Sequence, residues 1–189
     1  MSFLLIVLTL AFAGSSLSQQ SSLSINLETG LPTGDFSNVA KIGIGGGVAY
    51  GYALSPDIML TFKSGYLSFP KADFPPSGYP AGDIFSDSAS FSAVPILVGG
   101  KYFLNSGDTR FYGSAEIGMY ILTATSDVNN SFKTTSTTKG EFAFAPGVGT
   151  QFKAGSKTNI DLHLVLSNVL TPSKPLNWIN FGVGFSFGL

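Results

Sequence analysis

The chain has 189 residues and a formal net charge of −1, and only 11% of its residues are charged, against roughly 25% in a typical soluble domain. It has no basic stripe, which excludes nucleic acid as a partner. It has no cysteine, which excludes a disulfide framework, a thiolate metal site and a lipid-modified N-terminal Cys.

Taken in chain order, the first feature is the apolar run Phe3 to Ala13. A spanning helix needs roughly 20 residues, so this run is too short. It fits the apolar core of a secretory signal, roughly 7–15 residues long. Ala11-Phe12-Ala13 and Ser16-Leu17-Ser18 before Gln19 are both acceptable cleavage signals. The basic residue usual ahead of the run is missing. Residues 1–20 are read as a signal peptide and 21–189 as one domain.

From there the apolar period is two, the signature of strands with unlike faces. Leu23, Ile25 and Leu27 alternate with Ser24, Asn26 and Glu28. Ile42, Ile44, Val48, Tyr50 and Tyr52 alternate with Gly43, Gly45, Gly47, Ala49 and Gly51. Ile58–Phe69 is the weakest segment. Its Ile58, Leu60, Phe62 and Tyr66 oppose Thr61, Lys63 and Gly65, but Met59 and Leu67 break the phase. Val94, Ile96, Val98, Tyr102 and Leu104 oppose Ala93, Pro95, Gly99 and Lys101. Phe111, Ala115, Ile117, Met119 and Ile121 oppose Arg110, Ser114, Glu116 and Gly118. Phe142, Phe144, Val148 and Phe152 oppose Ala143, Ala145, Gly147, Gly149 and Gln151. Ile160, Leu162, Leu164 and Leu166 oppose Asp161, His163 and Ser167. The last segment sets Ile179, Phe181, Val183, Phe185, Phe187 and Leu189 against Asn180, Gly182, Gly184, Ser186 and Gly188.

These eight segments are joined by connections that alternate in length. Ser55–Asp57, Asn105–Asp108 and Ala154–Lys157 are short and carry turn residues. Thr29–Ala40, Pro70–Asp87, Leu122–Lys139 and Leu170–Leu176 are longer, and Leu122–Lys139, rich in Ser, Thr and Asn, reads as a mobile loop. Membrane barrels alternate short periplasmic turns with longer external loops in this way. The small phase is too poor in charge to face water, whereas small side chains suit the tight interior of an eight-stranded barrel. The large apolar phase therefore points into lipid. The prediction is an all-β, closed, eight-stranded antiparallel transmembrane barrel, an up-and-down meander. Tyr50, Tyr52, Tyr102, Phe111 and Phe152 are expected in an aromatic girdle at one rim, and Tyr66, Tyr120, Phe142 and Trp178 at the other.

The terminal strand, with Phe181, Val183, Phe185, Phe187 and Leu189 at alternate places, resembles the insertion signal of outer-membrane barrels, although many relatives end in Phe or Trp where this chain has Leu189. Leu31–Phe36, Gly45-Gly46-Gly47 and Ala145–Gly149 extend the resemblance. Over most of residues 20–189 the chain is similar in layout to small OmpA/OmpX-type barrels and to the outer-membrane β-barrel domain proteins of Bacteroidetes-like bacteria. That resemblance implies a Gram-negative cell envelope and an outer-membrane location. It also implies contact with outer-membrane lipid and, during biogenesis, with barrel-insertion machinery and periplasmic chaperones. It supplies no catalytic residues.

The chemistry-bearing residues are few. Gly43–Gly51 lacks the Gly-Lys-Ser/Thr of a phosphate loop and lies in a strand. His163 is the single His, with Asp161 on the same face and Ser167 four residues on. Outer-membrane lipid A deacylases use a His and a Ser two residues apart, so the spacing here departs from theirs. Glu28, Lys63, Lys101, Arg110, Glu116, Lys153, Asp161 and His163 are expected inward as a polar network, since charges in a tight interior need partners. Phe74, Tyr79 and Phe85, in the Pro-rich loop 70–87, are candidates for a contact surface. No catalytic residue, metal cluster or cofactor is expected. The leading expectation is a non-enzymatic protein with a structural or surface-interaction role through its extracellular loops. The alternatives are a porin-like narrow pore for ions or small solutes, a membrane-embedded lipid-modifying enzyme, and a soluble periplasmic ligand-binding barrel.

Overall fold

The computed structural model describes residues 21–70, 90–127, 134–172 and 174–189. Eight strands run in order: β1 (Ser21–Thr33), β2 (Gly43–Ala53), β3 (Ile58–Phe69), β4 (Ser90–Phe103), β5 (Thr109–Asp127), β6 (Thr134–Lys153), β7 (Thr158–Leu170) and β8 (Leu176–Gly188). Each pairs with its sequence neighbour, and β1 pairs antiparallel with β8, so the sheet closes into a barrel. Closure satisfies the ladder on both sides of every strand, which lipid demands because it offers no hydrogen bonds.

The large apolar phase faces outward. Ile25, Leu27, Ile44, Phe62, Val98, Ile117, Val148, Leu164, Phe181 and Phe185 are all exposed on the barrel's outer surface. The three short turns lie at one end, together with Ser21 and Leu189, which are joined by a 2.9 Å backbone bond. Asn105 clamps its turn there, donating from Nδ2 to the Thr109 carbonyl at 2.7 Å and accepting from the Phe111 N–H at 2.7 Å. The strand ends that flank the long connections lie at the opposite end.

Three expectations about the connections and the filling of the interior are corrected. First, residues 122–139 are largely strand: β5 runs to Asp127 and β6 begins at Thr134. The β6–β7 ladder ends at Phe142↔Leu170, so the hairpin rises above β7. Threonine favours a pleated surface, and Thr123 and Thr138 join across the hairpin by a 3.0 Å hydroxyl contact. Second, the expected connection Thr29–Ala40 is in part ordered structure: β1 continues to Thr33, and a 3-10 helix follows over Gly34–Asn38. Third, the interior is not uniformly small. Met59 and Leu67 belong to the inward phase of β3, and Leu67 joins an apolar cluster filling the loop end of the lumen with Phe36, Phe69, Phe91, Leu97, Tyr120, Val169, Leu176 and Trp178.

That cluster is built from edge-to-face and tilted aromatic contacts. The Phe36 ring, carried inward by the 3-10 helix, lies 5.3 Å from Phe69, 5.9 Å from Phe91 and 5.8 Å from Trp178. Trp178 meets Tyr120 at 5.0 Å. Phe69 lies flat against Gly30 and Gly43, where an added Cβ would fall 2.8 and 2.5 Å from its ring atoms. The inward glycines are thus the space over which the large interior rings lie. Tyr120 and Trp178 do not join the outer aromatic girdle. Both are buried in the lumen, because both share the inward parity of their strands. Tyr50, Tyr102, Phe111 and Phe152 at the turn end, and Tyr66 and Phe142 at the loop end, do face outward, while Tyr52 is half-buried.

Candidate functional site

Below the aromatic cap the lumen turns polar. The Trp178 indole N–H donates to Asn180 Oδ1 at 3.1 Å, Asn180 Nδ2 donates to Ser167 Oγ at 2.9 Å, and Tyr120 OH meets the same Ser167 oxygen at 3.0 Å. The next layer is ionic. Lys63 on β3 reaches Glu28 on β1 at 2.6 Å, with both side chains almost fully buried. His163 stands between two carboxylates. Its Nδ1 is 2.9 Å from Asp161 and its Nε2 is 3.7 Å from Glu28. Lys101 on β4 reaches across to Asp161 on β7 at 2.8 Å, and the Tyr112 hydroxyl donates to Asp161 at 2.7 Å. Lys101 also lies 4.2 Å above the Tyr112 ring. Glu116 accepts a long bond of 3.5 Å from Thr61.

The network places three carboxylates (Glu28, Glu116 and Asp161) against Lys63, Lys101 and His163. Protonation of His163 brings the count to three against three. Such balance matters in a lumen this tight, because an unpaired buried charge costs several kcal/mol. Glycine makes room for the arrangement: a Cβ on Gly182 would sit 2.1 Å from His163 Nε2, and one on Gly149 would sit 2.4 Å from the Tyr112 hydroxyl. A cavity of about 40 Å³ remains beside Glu116, Lys63 and His163.

Of the eight residues expected in this network, the structure brings together Glu28, Lys63, Lys101, Glu116, Asp161 and His163. Lys153 is corrected. It has inward parity, but it ends β6 beyond the network, stands more than half exposed, and lies 3.8 Å from Asp108 at the rim. Arg110 also lies at the turn end. Its guanidinium stacks on Phe103 at 3.6 Å and donates to the Pro56 carbonyl. Tyr112, Ser167 and Asn180 are members that the sequence did not single out as network residues, although their inward parity was legible. His163 and Ser167 form no nucleophile–base pair. The imidazole is engaged by Asp161, and Ser167 by Tyr120 and Asn180. Phe74, Tyr79 and Phe85 lie outside the described residues.

At the turn end, below Phe103, the lumen opens into a vestibule of about 670 Å³. The lumen is thus stratified from the turn end upward: open vestibule, ionic layer, hydroxyl–amide layer, aromatic cap.

The barrel is one that solved structures contain. It is similar to neisserial surface protein A, with 9% sequence identity over 89% of this chain and 96% of that one, at a TM-score of 0.62. It is similar to Ail of Yersinia pestis in complex with the heparin analogue sucrose octasulfate, with 18% identity over 90% and 100% of the two chains and a TM-score of 0.57. It is also similar to OprG of Pseudomonas aeruginosa, with 10% identity over 90% and 96% and a TM-score of 0.57. At these identities the likeness concerns the fold. No curated protein matches the sequence. The outer membrane protein β-barrel domain model matches residues 3–187, nearly the whole chain, and the chain belongs to that family of outer-membrane barrels.

Proposed function

We propose that this protein is a closed outer-membrane barrel with a structural or surface-interaction role, exported by residues 1–20 and meeting its partners through the loops at the extracellular end. The observation that carries this reading is the occluded lumen. Phe36, Phe69, Phe91, Tyr120 and Trp178 are all buried and close the loop end in one contiguous aromatic cap. Beneath the cap, ion pairs of 2.6 and 2.8 Å tie β1 to β3 and β4 to β7 across the interior. A conducting pore needs a wet path through both layers. The same packing supports a non-enzymatic role, because Ser167 and His163 face the lumen, away from lipid, and are engaged by separate partners. Ail, similar in fold, is known in complex with the heparin analogue sucrose octasulfate, and a sulfated glycan is the ligand class to test first here.

The test has two arms. In planar bilayers the purified protein should give no discrete conductance steps, and steady stepwise conductance would refute closure. Cells displaying the protein should adhere to extracellular-matrix or heparin-coated surfaces, and deletion of residues 70–87 should abolish adhesion. Adhesion that survives the deletion, with conductance present, would transfer the role to transport.

A further inference from the structure

The vestibule at the turn end has the features of a small-molecule site. Its volume of about 670 Å³ lies within the roughly 300–1,000 Å³ usual for ligand pockets. Its floor and walls are mixed in a useful way. Met59 and Phe103 supply apolar surface, and Ser22, Asn159, Gln151 and Ser186 supply polar groups. Gln151 is 7% exposed and Ser186 is 3% exposed. Both side chains line the vestibule. A carboxamide and a hydroxyl on the wall of a cavity offer donors and acceptors to a polar ligand.

The charges are equally specific. Among the described residues, the vestibule is lined by one cation, Arg110, and one anion, Asp57. The guanidinium is held flat by Phe103 and by a single bond to the Pro56 carbonyl, which leaves most of its five donors unused. A planar guanidinium fixed in this way matches a carboxylate in bidentate geometry. Asp57, exposed at the mouth, is suited to an ammonium.

We propose that the vestibule binds a small zwitterion of the amino-acid or dipeptide class, taken from the periplasm. Its carboxylate lies on Arg110, its ammonium faces Asp57, and its amide or side chain rests against Gln151, Ser186 and Phe103. The site opens on the face opposite the loops, so it is separate from the surface role above.

The experiment titrates L-alanyl-L-alanine into the folded protein in a non-ionic maltoside micelle, and follows the arginine Nε–H and glutamine side-chain resonances by NMR. N-acetyl-dialanine and dialanine amide, each lacking one charge, are titrated in parallel. Saturable shifts are expected for the dipeptide, and Arg110→Gln should weaken binding by at least about tenfold, or about 1.4 kcal/mol. Dialanine amide should lose binding to a similar extent. Gln151→Leu, which leaves the Phe103–Arg110 stack in place, should weaken binding on its own and serves if Arg110→Gln fails to fold. Absence of saturable shifts overturns the proposal. So does an amide that binds as tightly as the free acid, or binding indifferent to both substitutions.

Discussion

The ion pair between Glu28 and Lys63 offers a quantitative test of the interior. At 2.6 Å and an effective dielectric of about 20, its gross attraction is about 6 kcal/mol. Both side chains are almost fully buried, and removing two ions from water costs a comparable several kcal/mol each. The pair as a whole should therefore sit near zero against an uncharged replacement, while either half alone should be strongly unfavourable. Glu28→Gln and Lys63→Met should each lose about 3–5 kcal/mol. The double variant should stay within about 2 kcal/mol of the parent, a coupling of at least about 4 kcal/mol. Urea unfolding from micelles reads this directly. The single tryptophan, Trp178, is fully buried in the lumen and reports tertiary structure by its emission. Unheated gel mobility gives a second probe. Strict additivity of the two substitutions, or a single substitution costing less than about 1 kcal/mol, would refute the cross-lumen pair.

The remaining predictions test the layering and the orientation. Trp178 emission should be blue-shifted and nearly insensitive to brominated acyl chains, because the indole is in the lumen; strong quenching would return it to the outer girdle. Gly182→Val should push the imidazole off its carboxylates and cost about 1–3 kcal/mol by overpacking, since the added Cβ falls 2.1 Å from His163 Nε2; a change within about 0.5 kcal/mol of the parent would show that the ring has room to move. The chain lacks cysteine, so single-cysteine labelling is clean. On intact cells an impermeant maleimide should modify Thr137→Cys on the tall hairpin and spare Ser106→Cys at the turn end, and the reverse pattern would invert the barrel.

The strands, their two faces and the closed eight-stranded meander were legible in the sequence because alternation is a local property. Each strand's apolar phase announces itself whatever lies across the barrel. The same parity placed Glu28, Lys63, Lys101, Glu116, Asp161 and His163 inward. It would have placed Tyr120 and Trp178 inward too, had parity been followed there in place of the general preference of aromatic residues for membrane rims. Met59 and Leu67 break the alternation of β3 only against an interior of small and charged residues; the apolar cluster at the loop end of the lumen gives inward Leu67 its place.

What only the tertiary structure decided is height and partnership along the lumen. Parity says that Lys153 points in; the register of β6 against β7 puts it past the network, where its neighbour is Asp108. Lys101 and Asp161 are 60 positions apart and lie on strands that do not touch in the sheet, so their contact depends on closure and on the relative stagger of the strands between them. The aromatic cap likewise needs the 3-10 helix at Gly34–Asn38 to turn Phe36 inward onto residues from β3, β4 and β8. These are relations across an enclosed space. A sequence encodes them only through the summed registers of all the strands, and no single segment carries that sum.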